Sequence, residues 1–355
     1  MTRSAMHARL SFALLALAAV AAPLHAQQPT TPADARRILS ALAHDSMQGR
    51  ATGTEGAHRA AKYIAGEMNR IGLKSLGDSV FFQRVPVSMV EAANGRGARP
   101  QLMTAFADLD SIPAARRRTE VNVLGMIPGS DPVLANEVVL VDAHYDHLGM
   151  RGPGVNGDSI FNGADDDASG VTAVLEIARH IKQGPPPKRT IIFAAMVGEE
   201  VGLLGTNWFI QHPPIPLERF VANLEIEMIG RPDSLAFGTG KAWLTGFERS
   251  TMGESFQAHG LMVFPDMRPN QSFFTRSDNI GFARRGIVAH TLSSFNLHSD
   301  YHRVTDDVDK VDFAHMAAVI NTGAAAVRLL VDGPKPEWKT GGKPEAGRGG
   351  RRGGN

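Results

Sequence analysis

Five short stretches of the sequence combine carboxylates and imidazoles at spacings that could hold metal ions. They contain these motifs: His144-Tyr145-Asp146, Asp165-Asp166-Asp167, Glu199-Glu200, Glu225-Ile226-Glu227 and Tyr301-His302. Each stretch alone has an ordinary explanation, because acidic residues commonly begin helices and a single histidine is usually a surface residue. Taken together, hard oxygen ligands and imidazoles without a thiol suit catalytic zinc better than a closed structural zinc site. The sequence therefore predicts a catalytic metal centre.

The spacing within these stretches adds detail. In an extended segment His144 and Asp146 point to the same side, so the Asp146 carboxylate can hydrogen-bond the second imidazole nitrogen and orient the ring for a metal. The three adjacent acids at 165–167 repel one another, and a cation would relieve that repulsion. A glutamate inside an apolar run, such as Glu227, is costly to bury unless it is paired or metal-bound.

The sequence lacks the motifs of several other classes of hydrolase. No His-Glu-x-x-His helix occurs, which excludes the commonest single-zinc peptidase signature. No Gly-x-Ser-x-Gly turn occurs, and the chain has no cysteine. These absences exclude a serine nucleophile elbow and a cysteine nucleophile.

The elements that must position these residues alternate between apolar runs and helical patterns. Strands are predicted at 120–127, 137–143, 189–197, 221–228 and 287–292. Helices are predicted at 33–44, 56–72, 168–183, 202–211, 249–259 and 312–331, and loops at 93–100, 149–163 and 266–273. Because the run 191–197 is apolar throughout, we expect a mostly parallel sheet with helices on both faces. Open α/β sheets place their sites at the carboxyl ends of strands, where the acidic motifs fall.

The two ends of the 355-residue chain differ from its centre in charge. The net charge is +1, with +2 from residues 1–26 and +4 from residues 333–355, so residues 27–332 carry −5. A mildly acidic centre argues against nucleic acid as a partner, because phosphate binding needs a concentrated basic surface.

Residues 1–26 have a basic start, an apolar run from Leu10 to Ala22 and a small residue at Ala26, which is typical of a secretory signal peptide. The mature protein is therefore expected to be exported, to the periplasm or the extracellular medium. We expect no later segment to be long and apolar enough to span a membrane, and no stable membrane association. Residues 333–355 are rich in Gly and Arg and are predicted to be a disordered tail.

The order and spacing of the motifs resemble those of the co-catalytic di-zinc exopeptidases, the family of secreted bacterial leucyl aminopeptidases and of glutamate carboxypeptidase II. The resemblance covers about residues 35–330, and it includes the stretch Met47–Gly53 and the pair Ser277-Asp278. It implies that residues 27–332 form one catalytic domain, a three-layer α/β/α sandwich with a central mixed, mostly parallel sheet.

The resemblance also implies two zinc ions per chain. The five implied ligands are His144, Asp166, Glu200, Glu227 and His302. His144 and Glu227 would hold one ion, Glu200 and His302 the other, and Asp166 would bridge both. Many aminopeptidases have aspartate at the position of Glu227, so this carboxylate reaches one methylene further.

Two further residues would support catalysis by analogy with the family. Asp146 would orient His144, and Glu199 would be the general base that takes a proton from the attacking water and later protonates the leaving amine. The resemblance thus implies an aminopeptidase acting on peptides with a free N-terminus.

Other functions within the same fold stay open at this stage. They are a carboxypeptidase, a relative similar to the single-zinc glutaminyl cyclases, and a catalytically inactive peptide-binding module. A carboxypeptidase would need a clamp for the substrate carboxylate, for which Arg231, Arg276 and Arg303 are the candidates. The occupied ligand positions and the presence of Glu199 favour an active peptidase.

Overall fold

The structure is a computed structural model that describes residues 28–91, 97–155 and 157–345. The predicted signal peptide lies outside the described residues. The helices are α1 Pro32–Leu42, α2 Glu55–Ile71, α3 Gly170–Gln183, α4 Leu204–Gln211, α5 Met252–Ala258, α6 Asn279–Arg284 and α7 Phe313–Asp332. The strands are β1 Lys74–Ser75, β2 Phe82–Glu91, β3 Ala98–Leu102, β4 Arg117–Ile127, β5 Val138–His144, β6 Gly149–Val155, β7 Asp158–Phe161, β8 Thr190–Met196, β9 Phe220–Ile226, β10 Ala242–Leu244, β11 Val263–Pro265 and β12 Val288–Ser293.

Helix boundaries follow the capping residues in the sequence. Helix α2 begins after Thr54, whose hydroxyl accepts a hydrogen bond from the Ala57 N–H, and it ends at Gly72 with a left-handed φ of 82°. Helix α1 begins with a capping box between Thr31 and Asp34.

Ten strands form one mixed sheet in the order β11-β10-β12-β9-β5-β8-β4-β2-β3, with β1 paired to β4. Strands β5, β8, β9 and β12 run parallel, and β4 runs antiparallel to β8. The carboxyl ends of β9, β5 and β8 therefore lie side by side at one edge of the sheet, as expected for a site at this edge.

Strand β8 is buried on both faces, as its apolar sequence predicted. Ile191, Phe193 and Ala195 belong to a core formed with helices α1, α2, α3 and α7. The alternate residues Ile192 and Ala194 belong to a second core that includes residues of α4 and α6. The fold is thus the predicted three-layer α/β/α sandwich around a mostly parallel mixed sheet.

Two predicted loops contain strands. Strand β3 begins at Ala98, within the predicted loop 93–100, and hairpin β6–β7 occupies most of 149–163. Their sequences are short and rich in Gly, Pro and Asn, which locally favours turns, but β3 pairs with the long strand β2 at the edge of the sheet.

The predicted disordered tail is wrong for residues 334–345. Trp338 donates from its indole N–H to the carbonyl of Gly286 at 2.9 Å, and its ring lies 5.5 Å from that of His290. The backbone of Glu337 and Lys339 bonds to Thr251 and Arg249. The small and basic residues of the segment give no sign of packing, but the large aromatic ring of Trp338 makes the contact. Residues 346–355 lie outside the described part, and their disorder stays a prediction.

Helix α7 is the one helix among the described residues that is long and apolar enough to cross a membrane. By length and composition, therefore, the expectation that no segment after the N-terminus could span a membrane is wrong. Most of the helix is buried inside the structure, where Met316, Val319 and Ile320 join the core. This packing is that of a core helix of a sandwich.

Candidate metal centre

Most residues of the candidate site lie at the ends of three adjacent parallel strands. Strand β5 ends at His144, β8 ends just before the Glu199-Glu200 pair, and β9 ends just before Glu227. Because these strands are neighbours with their carboxyl ends at one edge, residues more than 80 positions apart in sequence meet in space.

The first group of candidate ligands contains His144, Asp166 and Glu227. Nε2 of His144 lies 3.4 Å from Oδ1 of Asp166 and 4.0 Å from Oε1 of Glu227. The three ligand atoms lie within 4.8 Å of one another, which is close enough for one metal ion. This is the group that the resemblance implied for one zinc.

The second group contains Asp166, Glu200 and two histidines. Oδ2 of Asp166 lies 3.1 Å from Nε2 of His302 and 3.8 Å from Nδ1 of His147. Oε1 of Glu200 lies 3.3 Å from the same nitrogen of His302 and 2.8 Å from that of His147. The two oxygens of Asp166 thus face two different groups, as the bridging role requires.

His147 is a candidate ligand that the sequence analysis missed. It is three residues after His144, and alternation along a strand would place it on the opposite side. Strand β5 ends at His144, however, and residues 145–148 have no regular structure, so the chain turns and brings the ring of His147 to Glu200. The presence of a second imidazole in the same motif was the available signal.

The flanking acids of the triplet have structural roles. Oδ1 of Asp167 accepts hydrogen bonds from the N–H groups of Gly170 and Met228, and Oδ1 of Asp165 accepts one from Gly230. Asp165 also contacts Nε2 of His298 at 2.9 Å. These bonds hold the chain beyond Glu227 and leave Asp166 alone to face the candidate ligands.

Asp146 differs from its predicted geometry. Its backbone carbonyl, and not its carboxylate, lies 3.1 Å from Nδ1 of His144, while the carboxylate is 3.9 Å away. The carboxylate instead accepts hydrogen bonds from the N–H groups of Gly198 and Glu199 and from the Thr52 hydroxyl. Two backbone donors at the end of β8 draw it away from the imidazole, so Asp146 positions the Glu199 turn directly.

Arg50, in the stretch Met47–Gly53, joins the two halves of the site. Its side chain is fully buried and donates to the carbonyls of Tyr145, Leu42, Asn162 and Gly163. It therefore fixes the segment after His144 relative to the segment before Asp166. A charged group with four carbonyl partners satisfies the hydrogen-bond requirement of burial.

Arg231 performs a similar role for the loop that carries His302. It contacts Asp300 at 2.6 Å and Asp306 at 3.2 Å. Asp306 in turn accepts from the backbone N–H groups of Asp165 and Asp166. Because its guanidinium group is paired with both aspartates, Arg231 is not available to bind a substrate carboxylate.

Glu225, the other buried glutamate of strand β9, is paired within the protein. It accepts from the Ser277 and Thr291 hydroxyls and from the N–H groups of Asp278 and Asn279. Four donors satisfy a buried carboxylate, so Glu225 needs no metal. The Ser277-Asp278 motif therefore anchors the start of α6.

Several buried ligand atoms lie close to one another but form no hydrogen bond among the described residues. They are Nε2 of His144, both ring nitrogens of His147 and Oε1 of Glu200. An unsatisfied buried polar atom costs about 1–3 kcal/mol, and a bound cation would remove that cost. Imidazole nitrogens and carboxylate oxygens are also the ligands of catalytic zinc, so the residues fit this metal.

The acids of the site fall into two groups by the direction in which their pKa values are shifted. Burial, with Glu225 as a further cause, raises the pKa of Glu227 to about 8, and burial raises that of Glu199 well above its usual value. Burial also opposes ionisation of Asp166, but His147, His144 and His302 outweigh it and lower its pKa well below the usual range. A cluster in which like charges compete in this way is typical of a cation site.

Four of the five predicted ligands, Asp166, Glu200, Glu227 and His302, line a cleft of about 1280 Å³ together with Glu199. Aromatic rings form one wall of this cleft: Tyr301 stacks on His302 at 3.8 Å, and Phe295 lies 5.1 Å from Tyr301. Phe273 continues the wall and stacks on Trp243 at 5.2 Å. The seven predicted site residues therefore cluster around one site, and five of them line the cleft beside an apolar surface.

A mixed α/β sandwich with carboxylates and imidazoles at the strand ends defines the class of α/β metal-dependent hydrolases. Residues 122–327 match the sequence model described as Peptidase family M28, and this is more than half of the chain. The protein belongs to peptidase family M28.

Three similar proteins illustrate the relationship. A vacuolar membrane protease of Candida dubliniensis is 27% identical over 213 residues, which are 57% of this chain and 22% of that protein. Aminopeptidase YwaD of Bacillus subtilis is 29% identical over 147 residues, 41% of this chain and 29% of the relative. The chain thus spans less than a third of the length of these relatives. The solved aminopeptidase from Aneurinibacillus sp. strain AM-1 has the same fold, with a TM-score of 0.61, 15% identity, and coverage of 88% of this chain and 97% of that one.

Proposed function

We propose that this protein is an aminopeptidase that binds two zinc ions per chain and removes the N-terminal residue from peptides. The observation that carries the proposal is the position of Asp166 between two ligand groups. Its Oδ1 faces His144 and its Oδ2 faces His302 and His147, so one carboxylate can serve two ions. The aminopeptidase names of YwaD and of the Aneurinibacillus protein support this choice within the family.

Bound zinc would supply a Lewis acid and an activated water at this site. Glu199 lies in the cleft and is held by its backbone N–H on the Asp146 carboxylate. We assign to Glu199 the role of general base, accepting a proton from the attacking water and passing it to the leaving amine. Glu200, the adjacent residue, contacts His147 and His302 and belongs to the ligands.

The acidic groups and the apolar wall of the cleft support recognition of the N-terminus of a peptide. Four carboxyl groups line the cleft, at Asp166, Glu199, Glu200 and Glu227, and those that are ionised would attract an α-ammonium group, which helps to orient the first peptide bond. The wall of Phe273, Phe295 and Tyr301 offers an apolar surface for the side chain of the first residue. Met228, directly after Glu227, is part of the same apolar cluster.

We also propose that the peptidase acts outside the cytoplasm. The support for export is the composition of residues 1–26, with a basic start followed by an apolar run that ends before a small residue. Mass spectrometry of the N-terminus of protein recovered from the periplasm and the medium tests this: a mature chain that begins near Gln27 supports export, and an intact N-terminus in the cytoplasm contradicts it.

The experiment that tests the activity compares one peptide in three forms: free, N-acetylated and C-amidated. Acetylation removes the ammonium charge, so kcat/KM should fall by about 100-fold or more, while amidation should leave it within about tenfold of the free peptide. Release of the first residue must be followed directly, by mass spectrometry. Equal cleavage of the acetylated peptide, with loss of activity on the amide, would show a carboxypeptidase instead.

A further inference from the structure

The cleft has a basic end that the metal centre does not explain. Every acid that lines the cleft belongs to the metal groups or is Glu199. The remaining full charges of the lining are three arginines, Arg276, Arg284 and Arg285. The cleft is therefore acidic where the metals would bind and basic elsewhere.

These three arginines have no protein partner for their charge. All three are exposed, and no guanidinium group among them forms an ion pair or hydrogen bond with another described residue. Arg276 is held by a non-ionic contact, with its guanidinium 5.2 Å from the ring centre of Phe273. By contrast Arg231 and Arg268 are each paired with aspartates.

The backbone places the arginines along the cleft in two ways. Helix α6 contributes Ile280 and Gly281 to the lining, and Arg284 and Arg285 follow at its carboxyl end. Arg276 lies at the end of the aromatic series that runs from His302 through Tyr301, Phe295 and Phe273. The basic end is thus connected to the metal centre by the walls of a single cleft.

We propose that Arg276, Arg284 and Arg285 form a carboxylate subsite, which binds an anionic group of the substrate on the C-terminal side of the bond that is cleaved. The inference rests on the proposed function, because it assumes that the N-terminus lies at the acids of the metal centre. A peptide held in this way has its ammonium group at the acidic end and its carboxylate at the basic end. Guanidinium groups suit carboxylates because their N–H donors can bond both oxygens.

The carboxylate could come from two sources, the C-terminus of a short peptide or an acidic side chain. The experiment therefore uses two matched pairs: Leu-Gly-Gly against its C-terminal amide, and Leu-Gly-Glu-amide against Leu-Gly-Gln-amide. At low ionic strength we expect kcat/KM about fivefold higher for the charged member of at least one pair, the size of a favourable exposed ion pair. Raising the ionic strength from about 0.01 M to about 1 M should remove the difference, because salt screens exposed charges.

The variant with Arg276→Gln, Arg284→Gln and Arg285→Gln should lose this preference, measured as the ratio within each pair. Arg99→Gln is the matched control, because Arg99 is exposed on edge strand β3 and does not line the cleft. Calorimetric binding of the same peptides to zinc-loaded Glu199→Gln repeats the comparison without turnover. The proposed subsite would be overturned if the charged and neutral members of both pairs gave equal kcat/KM, or if the triple variant kept the wild-type preference. Failure of the wild type to release leucine from the neutral amide would instead refute the aminopeptidase, and the binding ratio would still decide the subsite.

Discussion

The carboxylate of Asp146 accepts a hydrogen bond from the backbone N–H of Glu199 at 3.1 Å. The same oxygen accepts from Gly198 at 2.7 Å, while the other oxygen accepts from Thr52. The residue after the β5 strand end therefore fixes the turn after β8. This links the candidate base directly to the segment that carries His144, whose Nδ1 lies 3.1 Å from the carbonyl of Asp146.

Glu199 and Glu200 are adjacent, yet they should respond differently to substitution. Glu199→Gln should keep the metal content and reduce kcat by about 10²–10⁴-fold, the usual contribution of a general base. Glu200→Gln should lower zinc occupancy, because Glu200 contacts His147 and His302 in the second group. Metal analysis and steady-state kinetics on the same preparations check both. Near-normal turnover of Glu199→Gln would contradict its assignment as the base.

His147 should matter for metal binding even though the sequence motifs did not select it. Its ring is buried, and its nitrogens have no hydrogen-bond partner among the described residues. We expect His147→Ala to reduce the zinc content from about two ions to about one per chain after dialysis, whereas Asp166→Asn should weaken both sites. The exposed His259, as His259→Ala, is the control. Retention of two tightly bound ions in His147→Ala would exclude it as a ligand.

His290 should make the protein less stable in acid. The ring is buried on β12, between the hydroxyl of Ser250 at 2.7 Å and the carbonyl of Thr245 at 2.6 Å. Burial, outweighing the bond to Thr245, lowers the pKa of His290 to about 4. Because the unfolded chain binds this proton at its ordinary pKa of about 6.5, unfolding takes up a proton between pH 6.5 and pH 4.

Protonation of His290 in the unfolded chain should therefore lower the free energy of unfolding by about 3 kcal/mol as the pH drops from 6.5 to 4. Above pH 6.5 this residue should contribute no pH dependence. Urea unfolding of the wild type and of His290→Gln at several pH values isolates the effect as the difference in slope. His259→Gln is the control variant, since the ring of His259 is exposed. Equal slopes for the wild type and His290→Gln would show that His290 does not titrate in this way.

The segment 334–345 should contribute to stability. A chain that ends at Gly333 loses the Trp338 ring, its bond to the Gly286 carbonyl and the backbone bonds to Thr251 and Arg249. We expect a loss of about 2 kcal/mol in the free energy of unfolding, from the partial burial of a large ring and one hydrogen bond. A chain that ends at Glu345 is the control and should lose less than about 0.5 kcal/mol. Equal stability of the two truncated chains would show that Trp338 contributes little.

Local patterns in the sequence determined much of this protein. Apolar runs such as residues 191–197 predicted strands buried on both faces, because such a run has no polar side to expose to water. The helical pattern at 56–72 predicted helix α2 to within one residue at each end, where Thr54 and Gly72 cap it. The sequence also supplied the motifs that contain the candidate site residues, since imidazole and carboxylate groups are recognisable as metal ligands without a structure. The particular set of seven residues followed from the resemblance of these motifs to a known family.

Only the tertiary structure decided how these residues share their roles. The turn after β5 brings His147 to Glu200, and a hydrogen bond from a distant strand end turns the Asp146 carboxylate away from His144. Arg231 is paired and Arg276 is not, although both were equal candidates in the sequence. The physical reason is that partner choice depends on distances between residues far apart in the chain, and these distances are set by strand order and by the packing of the sandwich. Residue type defines which chemistry is available, and the packed strands determine which atoms come close enough to perform it.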